Sequence, residues 1–142
     1  MAYNKTEHLR RNIEAIRTAF ALEREQRAAT PEERDVLRAY SGFGAIKEVL
    51  EPLPHKKETA LTPLIEELHA VLKENTDGER EYKRYLDGIK SSVLTAFYTP
   101  APVTDAIARM LYNAGVVPVR ALEPSAGTGA FAEYLRRYND EA

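Results

Sequence analysis

The sequence contains no cysteine. This absence excludes disulfide bonds and thiolate metal ligands, and it fits a reducing compartment, so we expect a cytoplasmic protein. No apolar run approaches the roughly 18 residues of a membrane-spanning helix, and the N-terminus lacks the apolar core of a signal segment, so we expect no membrane partner. Histidine is also scarce. His8, His55 and His69 lie among charged residues, and we expect them at the surface, with no metal bound.

Neither sign of charge is in large excess, because the 142 residues carry a formal net charge of −2. Bulk electrostatics therefore do not attract this chain to nucleic acid. Apolar residues make up 44% of the sequence and charged residues 30%, proportions typical of a folded globular protein rather than a disordered one. The length is sufficient for a domain with its own hydrophobic core.

Apolar residues recur at helical spacing over most of the chain. Leu9, Ile13, Ile16 and Phe20 are separated by four, three and four positions, which predicts a first helix from about residue 4 to residue 29. The run Thr30-Pro31-Glu32-Glu33 predicts a capping box that opens a second helix. Further helices are expected to begin at Thr62, to span 79–97, and to carry the apolar faces of 103–114 and 131–138.

A strand is predicted only near the C-terminal end, at 119–122 or at 116–119. It leads into the glycine-rich run "ALEPSAGTGAF" (121–131) and then into a helix. A strand, a tight turn and a helix form the first half of a βαβ unit, in which ligands bind beyond the carboxyl end of the strand. Amide groups at the helix start attract an anion, whereas Glu123 adds a negative charge. The site therefore suits a ligand that carries both signs of charge.

Three ligand classes compete for this turn. A nucleoside triphosphate loop needs Lys-Ser/Thr after its last glycine, but Gly129 is followed by Ala130 and Phe131. "GTGAFA" (127–132) matches the dinucleotide pattern G-x-G-x-x-A, although Glu123 would face a pyrophosphate there unfavourably. S-adenosylmethionine has a zwitterionic methionine end, and its ammonium group suits a carboxylate beside the amide groups of a helix start.

The run "LEPSAGTGAF" (122–131) resembles the first cofactor motif of amino-group DNA methyltransferases. "FYTPAPVTDAI" (97–107) resembles the segment that precedes this motif in the adenine-specific members, and the two occur here in the same order. "YSGFGAIKEVL" (40–50) is similar to a run in phage and mobile-element proteins of bacteria that join an adenine methyltransferase to a helicase-like region. Without this resemblance, the same run also fits a simple turn between two helices.

The helical spacing predicts a mainly α fold, with a helical N-terminal region at 1–97. The resemblance implies that 98–142 form an incomplete Rossmann-like (α/β) methyltransferase stub. It also implies roles for individual residues. Glu123 would meet the ammonium group of S-adenosylmethionine, the two motif glycines would pass beneath the cofactor, and Thr99 with its neighbours would border the methionine end. The implied cofactor-binding residues are Tyr98, Thr99, Pro100, Glu123, Pro124, Ser125, Ala126, Gly127, Gly129 and Phe131.

The catalytic Asn/Asp-Pro-Pro-Tyr/Phe motif of the resembled family is absent from these 142 residues. The strand that carries the ribose-binding acid and a target-recognition region are missing as well. We therefore expect the N-terminal portion of a methyltransferase, inactive alone, whose DNA contacts are made by missing C-terminal regions. A lone strand at an open edge also favours self-association.

Two other functions remain open. In the first, the chain is a non-enzymatic helical interaction or DNA-positioning module of a mobile-element protein, and the glycine turn is only structural. In the second, the chain begins a dinucleotide oxidoreductase, which predicts an acid at the end of the next strand. An Asn/Asp-Pro-Pro-Tyr/Phe motif beyond residue 142 would favour the methyltransferase over both.

Overall fold

The computed structural model describes residues 4–44, 46–55, 57–96, 98–124, 126–127 and 129–140. These residues form helices and no strand, so the prediction of a mainly helical fold is confirmed. Within the same ranges, no helix is long and apolar enough to cross a membrane. The helices are α1 (Lys5–Glu25), α2 (Pro31–Arg38), α3 (Thr62–Glu74), α4 (Glu79–Thr95), α5 (Ala101–Asn113) and α6 (Ala130–Asp140), with one short 3-10 helix at Lys47–Leu50.

The chain divides into two compact units, Met1–Phe97 and Tyr98–Ala142. In the first unit α1 packs against α2 and α3, α3 packs against α4, and α4 packs against the 3-10 helix. The second unit contains α5 and α6, which pack against each other.

Local capping determines where α1 ends and α2 begins. α1 stops at Glu25 rather than near residue 29, because Gln26 adopts a left-handed conformation (φ 50°) and its amide donates to the carbonyl of Glu23. The predicted capping box is confirmed. The Thr30 hydroxyl accepts from the Glu33 amide at 3.3 Å, and the Glu33 carboxylate accepts from the Thr30 amide at 2.9 Å. Arg27 also bonds to this carboxylate and, with the capping bond, lowers the pKa of Glu33 to about 2.

The core of the first unit lies between α1, α3, α4 and the 3-10 helix. Its largest fully buried side chain is Phe43, which is 0% exposed and follows a glycine in the "YSGFG" run. The segment therefore supplies a core side chain as well as a turn between α2 and the 3-10 helix. The buried members of this core are Leu9, Ile13, Phe43, Ile46, Val49, Leu61, Ile65, Leu68, Val71, Leu72, Ile89 and Val93.

A buried asparagine on α1 holds the "YSGFG" segment in place. Asn12 is 0% exposed. Its amide nitrogen donates to the Gly42 carbonyl, and its side-chain oxygen accepts from the Ser41 amide at 3.0 Å. A second helix also holds this segment, since the Ser92 hydroxyl of α4 accepts from the Phe43 amide at 3.3 Å. Gly42 has a φ of 70°, which favours glycine at this position.

Gly88 lies in the interior of α4, where its backbone is helical and a Cβ would meet no atom within 4 Å. Because glycine costs up to about 1 kcal/mol against alanine inside a helix, Gly88→Ala is expected to raise the free energy of unfolding by that amount. Urea denaturation followed by circular dichroism measures it.

The matched control is Gly78 at the start of the same helix, where a φ of 85° strains any L-residue. Gly78→Ala should lower the free energy of unfolding by about 1–2 kcal/mol. Equal effects at the two glycines would contradict this difference in backbone conformation.

The histidines are not simple surface residues, so that expectation is wrong. All three are partly buried and hydrogen-bonded: His8 to Ser41, His55 to the Thr62 hydroxyl, and His69 to the Tyr82 hydroxyl. Charged sequence neighbours do not exclude burial. His8 and His69 lie on helices whose opposite face packs inward, and His55 lies in the segment between the 3-10 helix and α3. Among the residues that the structure describes, no group of three or more His, Asp or Glu side chains forms a potential metal site.

His69 should make stability dependent on pH. Desolvation, followed by the charges of Lys73, Lys90 and His55, lowers its pKa below the ordinary value of 6.5. Protonation would also leave Nε2, a buried atom without a hydrogen-bond partner, carrying a charged N–H. The neutral ring therefore stabilises the fold fully above pH 6.5, and this stability is lost as the pH falls below 6.5 through the lowered pKa.

Urea midpoints at pH 7.5 and 5.5 test this expectation, and the midpoint should fall at the lower pH. His69→Gln should reduce the difference between the two midpoints. An unchanged difference in the variant would assign the pH dependence to other groups.

The start of α5 and its end are both well defined in the second unit. The carbonyl of Pro100 accepts from the amides of Val103 and Thr104, at 2.9 and 3.2 Å. At the other end, Gly115 has a φ of 71° and its amide donates to the Tyr112 carbonyl. This left-handed residue ends the helix as the sequence predicted.

The predicted strand is wrong in both proposed positions. Residues 116–123 have no regular structure, and Val119 and Leu122 are 96% and 91% exposed. A strand needs a neighbouring strand to bond with its amides and carbonyls, and the described residues supply none. The Rossmann-like stub therefore stays a prediction, as does the assignment of 98–142 to a methyltransferase core.

Candidate functional site

The 97–107 segment, which resembles the region before the first cofactor motif, contains the start of α5. Tyr98, Thr99 and Pro100 are exposed and directly precede the helix. Pro100 occupies the N-cap position with φ −59° and ψ 140°, and no side chain caps this helix end. Thr99 is therefore not the capping residue of α5, and capping does not account for its hydroxyl.

The 122–131 segment, which resembles the first cofactor motif of the methyltransferases, leads into α6 through two glycines with left-handed backbones. Gly127 has a φ of 54° and Gly129 a φ of 83°. The Gly129 amide donates to the Ala126 carbonyl at 2.7 Å, which closes a tight turn, and the Gly129 carbonyl accepts from the Glu133 amide in the first turn of α6. The backbone conformation thus favours glycine at both positions, because left-handed φ is unfavourable for residues with a Cβ.

The space beside this turn is open. A Cβ placed on Gly129 would meet no atom of the described residues within 4 Å, and Ala126 and Gly127 are exposed. Backbone that is both uncovered and next to a helix start can approach a ligand closely and offer amide groups to its anionic part. The geometry of the turn is therefore compatible with the role that the resemblance implies.

The remaining described residues of the 122–131 segment flank the turn. Glu123 and Pro124 are exposed and lie before it, whereas Phe131 is half-buried in the first turn of α6. Ser125 lies outside the described residues, as do Phe97 and Thr128 within the quoted motifs. The predicted turn and the helix after it are present, although the described residues before the turn form no strand.

Side-chain contacts join α5 and α6, the helices that begin within the two motif segments. The Tyr138 hydroxyl donates to the Asp105 carboxylate at 2.9 Å, and the Tyr138 ring lies 5.7 Å from the Tyr112 ring. Asp105 also pairs with Arg109, one turn further along α5, at 3.3 Å. Sequence patterns missed this pairing of α5 and α6, because a tyrosine and an aspartate 33 positions apart give no local signal.

A buried threonine lies in the first turns of α5. Thr104 is 0% exposed, and its hydroxyl donates to the Ala101 carbonyl at 2.9 Å. The structure thus places the two motif segments at the starts of two helices of one compact unit. A joint site formed by Thr99 and Glu123 stays a prediction.

No family model, curated protein or solved structure matches the chain. The resemblance to adenine-specific DNA methyltransferases consequently depends on the order and residues of the quoted motifs.

Proposed function

We propose that this chain is the N-terminal, cofactor-binding portion of an S-adenosylmethionine-dependent, adenine-specific DNA methyltransferase. The observation that carries the proposal is the turn before α6, where Gly127 and Gly129 have left-handed backbones and the space beside Gly129 is open. Backbone at such a turn can approach a cofactor closely, because the two glycines carry no side chain, and it lies next to a helix start, where anionic groups bind. Glu123, four residues before the first of these glycines, supplies the carboxylate that suits the methionine ammonium group.

The second support is that the 97–107 segment lies at the start of a helix, as the 122–131 segment does. Thr99 precedes α5 in the same compact unit, is exposed, and does not cap its helix. In the proposed complex, Tyr98, Thr99 and Pro100 border the methionine end of the cofactor. The base-binding and catalytic groups come from outside these 142 residues, together with the DNA contacts.

A methylation assay tests the proposal. The intact gene product should transfer a labelled methyl group from S-adenosylmethionine to adenine in duplex DNA, whereas the 142-residue chain alone should transfer none. Turnover by the chain alone would contradict the assignment of the catalytic groups to other regions. A gene product without an Asn/Asp-Pro-Pro-Tyr/Phe motif and without transfer would favour the non-enzymatic helical module.

Self-association is part of the same proposal, because Val119 and Leu122 are almost fully exposed and apolar. Light scattering at high micromolar concentration should give a mass above the 16.0 kDa of one chain. Leu122→Asp should restore the monomer, since a charge opposes burial of this segment. A clean wild-type monomer would contradict self-association.

A further inference from the structure

A cavity of about 500 Å³ lies between α1 and α4 of the first unit, with Leu37 of α2 and Tyr40 also in its lining. It opens to the surface, since Ala19 and Gly88 in its lining are exposed. Its inner side is closed by Leu72 of α3, the helix against which both α1 and α4 pack. The volume falls within the range of about 300–1,000 Å³ that is typical of small-molecule sites. This cavity is independent of the proposed cofactor segments, which belong to the other unit.

The interior of the cavity is apolar. Ala15, Leu72 and Ile89 line it and are at most 8% exposed. The charged residues in its lining are Glu23 and Arg84, and both belong to the exposed part of that lining. The Arg84 guanidinium is already engaged, since it lies 5.2 Å from the ring of the neighbouring Tyr85 and bonds to Glu81. A charged group that reached the buried side chains would lose its hydration without a partner there, so the inner part of the cavity suits an uncharged occupant.

Two aromatic rings determine what shape of occupant fits. Phe20 of α1 and Tyr85 of α4 meet edge to face across the cavity, with ring centres 5.4 Å apart and an interplanar angle of 70°. Because this pair joins the two walls, a continuous partner helix has no path between them. A compact molecule has room beside the pair, and a flat aromatic ring would add a third ring in the edge or stacked arrangements that such rings prefer.

At Gly88, an occupant of the cavity can contact the backbone of α4, because no side chain intervenes. It lines the cavity on α4, has a helical conformation, and would carry a Cβ into open space. Neither backbone strain nor packing against the described residues therefore explains a glycine here. On the opposite wall, Ala15 and Ala19 are one helical turn apart and also have small side chains.

We propose that this cavity binds a compact, uncharged, planar aromatic molecule of one or two fused rings, held between Gly88, Ala19 and the Phe20–Tyr85 pair. Titration of the ¹⁵N-labelled chain with 2-naphthol tests this, because the probe is flat, apolar and uncharged at pH 7. Saturable shifts are expected at the amides of Ala19, Gly88 and Ile89. Shifts that do not saturate, or that scatter over the surface, would overturn the proposal.

A leucine side chain placed on α4 or on α1 should fill part of the cavity, which gives two matched variants. Gly88→Leu and Ala19→Leu should each weaken 2-naphthol binding at least tenfold, whereas Ala70→Leu on the exposed face of α3 should leave it unchanged. Thermal melts check that each variant is folded. If Gly88→Leu does not fold, Ala19→Leu decides alone, and binding as tight as that of the wild type would overturn the proposal.

Two further outcomes define the chemistry of the occupant. Naphthalene-2-sulfonate should bind at least tenfold more weakly than 2-naphthol, and equal affinity would contradict an interior that excludes charge. A wild-type dimer that Gly88→Leu converts to a monomer would mean that a second copy of the chain fills the cavity, which would also overturn the proposal.

Discussion

Replacing Phe43 by alanine is expected to lower the free energy of unfolding of the first unit by about 3–5 kcal/mol. Phe43 is the largest fully buried side chain in the described residues and belongs to the core between α1, α3 and α4. Its removal loses apolar burial and leaves a cavity that the surrounding helices fill only in part. Because a domain is stable by only about 5–15 kcal/mol, this single change should bring the unit close to unfolding.

Urea denaturation of the wild type, Phe43→Leu and Phe43→Ala measures the effect. Leucine retains most of the apolar contact, so Phe43→Leu should fall between the other two proteins. A loss below about 1 kcal/mol in Phe43→Ala would mean that the "YSGFG" segment does not anchor the core.

Replacing Asn12 by alanine is expected to cost about 3 kcal/mol. The change removes the partners of the Ser41 amide and the Gly42 carbonyl, and each buried polar group left unsatisfied costs about 1–3 kcal/mol. Asn12→Asp should be at least as harmful, because a carboxylate accepts from Ser41 but places an oxygen with no proton against the Gly42 carbonyl.

The control is Glu14→Ala, an exposed position of the same helix, where a change within about 0.5 kcal/mol is expected. Thermal and urea denaturation compare the three variants. If Asn12→Ala and Glu14→Ala lose the same stability, the buried amide does not hold the glycine segment.

The helices were predictable because their signals are local. Apolar residues three and four positions apart mark one face of α1, and the residues from Thr30 to Glu33 contain the whole capping box of α2. The end of α1 was placed too late, since the left-handed conformation of Gln26 has no comparable signal. Helix existence thus follows from spacing, whereas helix boundaries depend on single backbone conformations.

Features that depend on distant partners were missed. The burial of Asn12 depends on a segment about 30 positions away, and the bond between Tyr138 and Asp105 spans 33. The strand predicted at 119–122 or 116–119 failed for the same reason, because a short apolar run becomes a strand only beside another strand. The motif residues Thr99 and Glu123 could be named from their sequence context, but their mutual position required tertiary information that no local pattern contains.

In the proposed complex, the residues around Thr99 and Glu123 hold the methionine end of S-adenosylmethionine. Calorimetric titration of the intact gene product with S-adenosylmethionine tests this claim most directly. Wild-type protein should bind. Glu123→Gln should bind about tenfold more weakly or worse, because it removes a charge-assisted bond to the ammonium group, and Glu66→Gln on α3 should bind as the wild type does. An intact protein that does not bind the cofactor, or whose affinity is the same in Glu123→Gln, would contradict the claim.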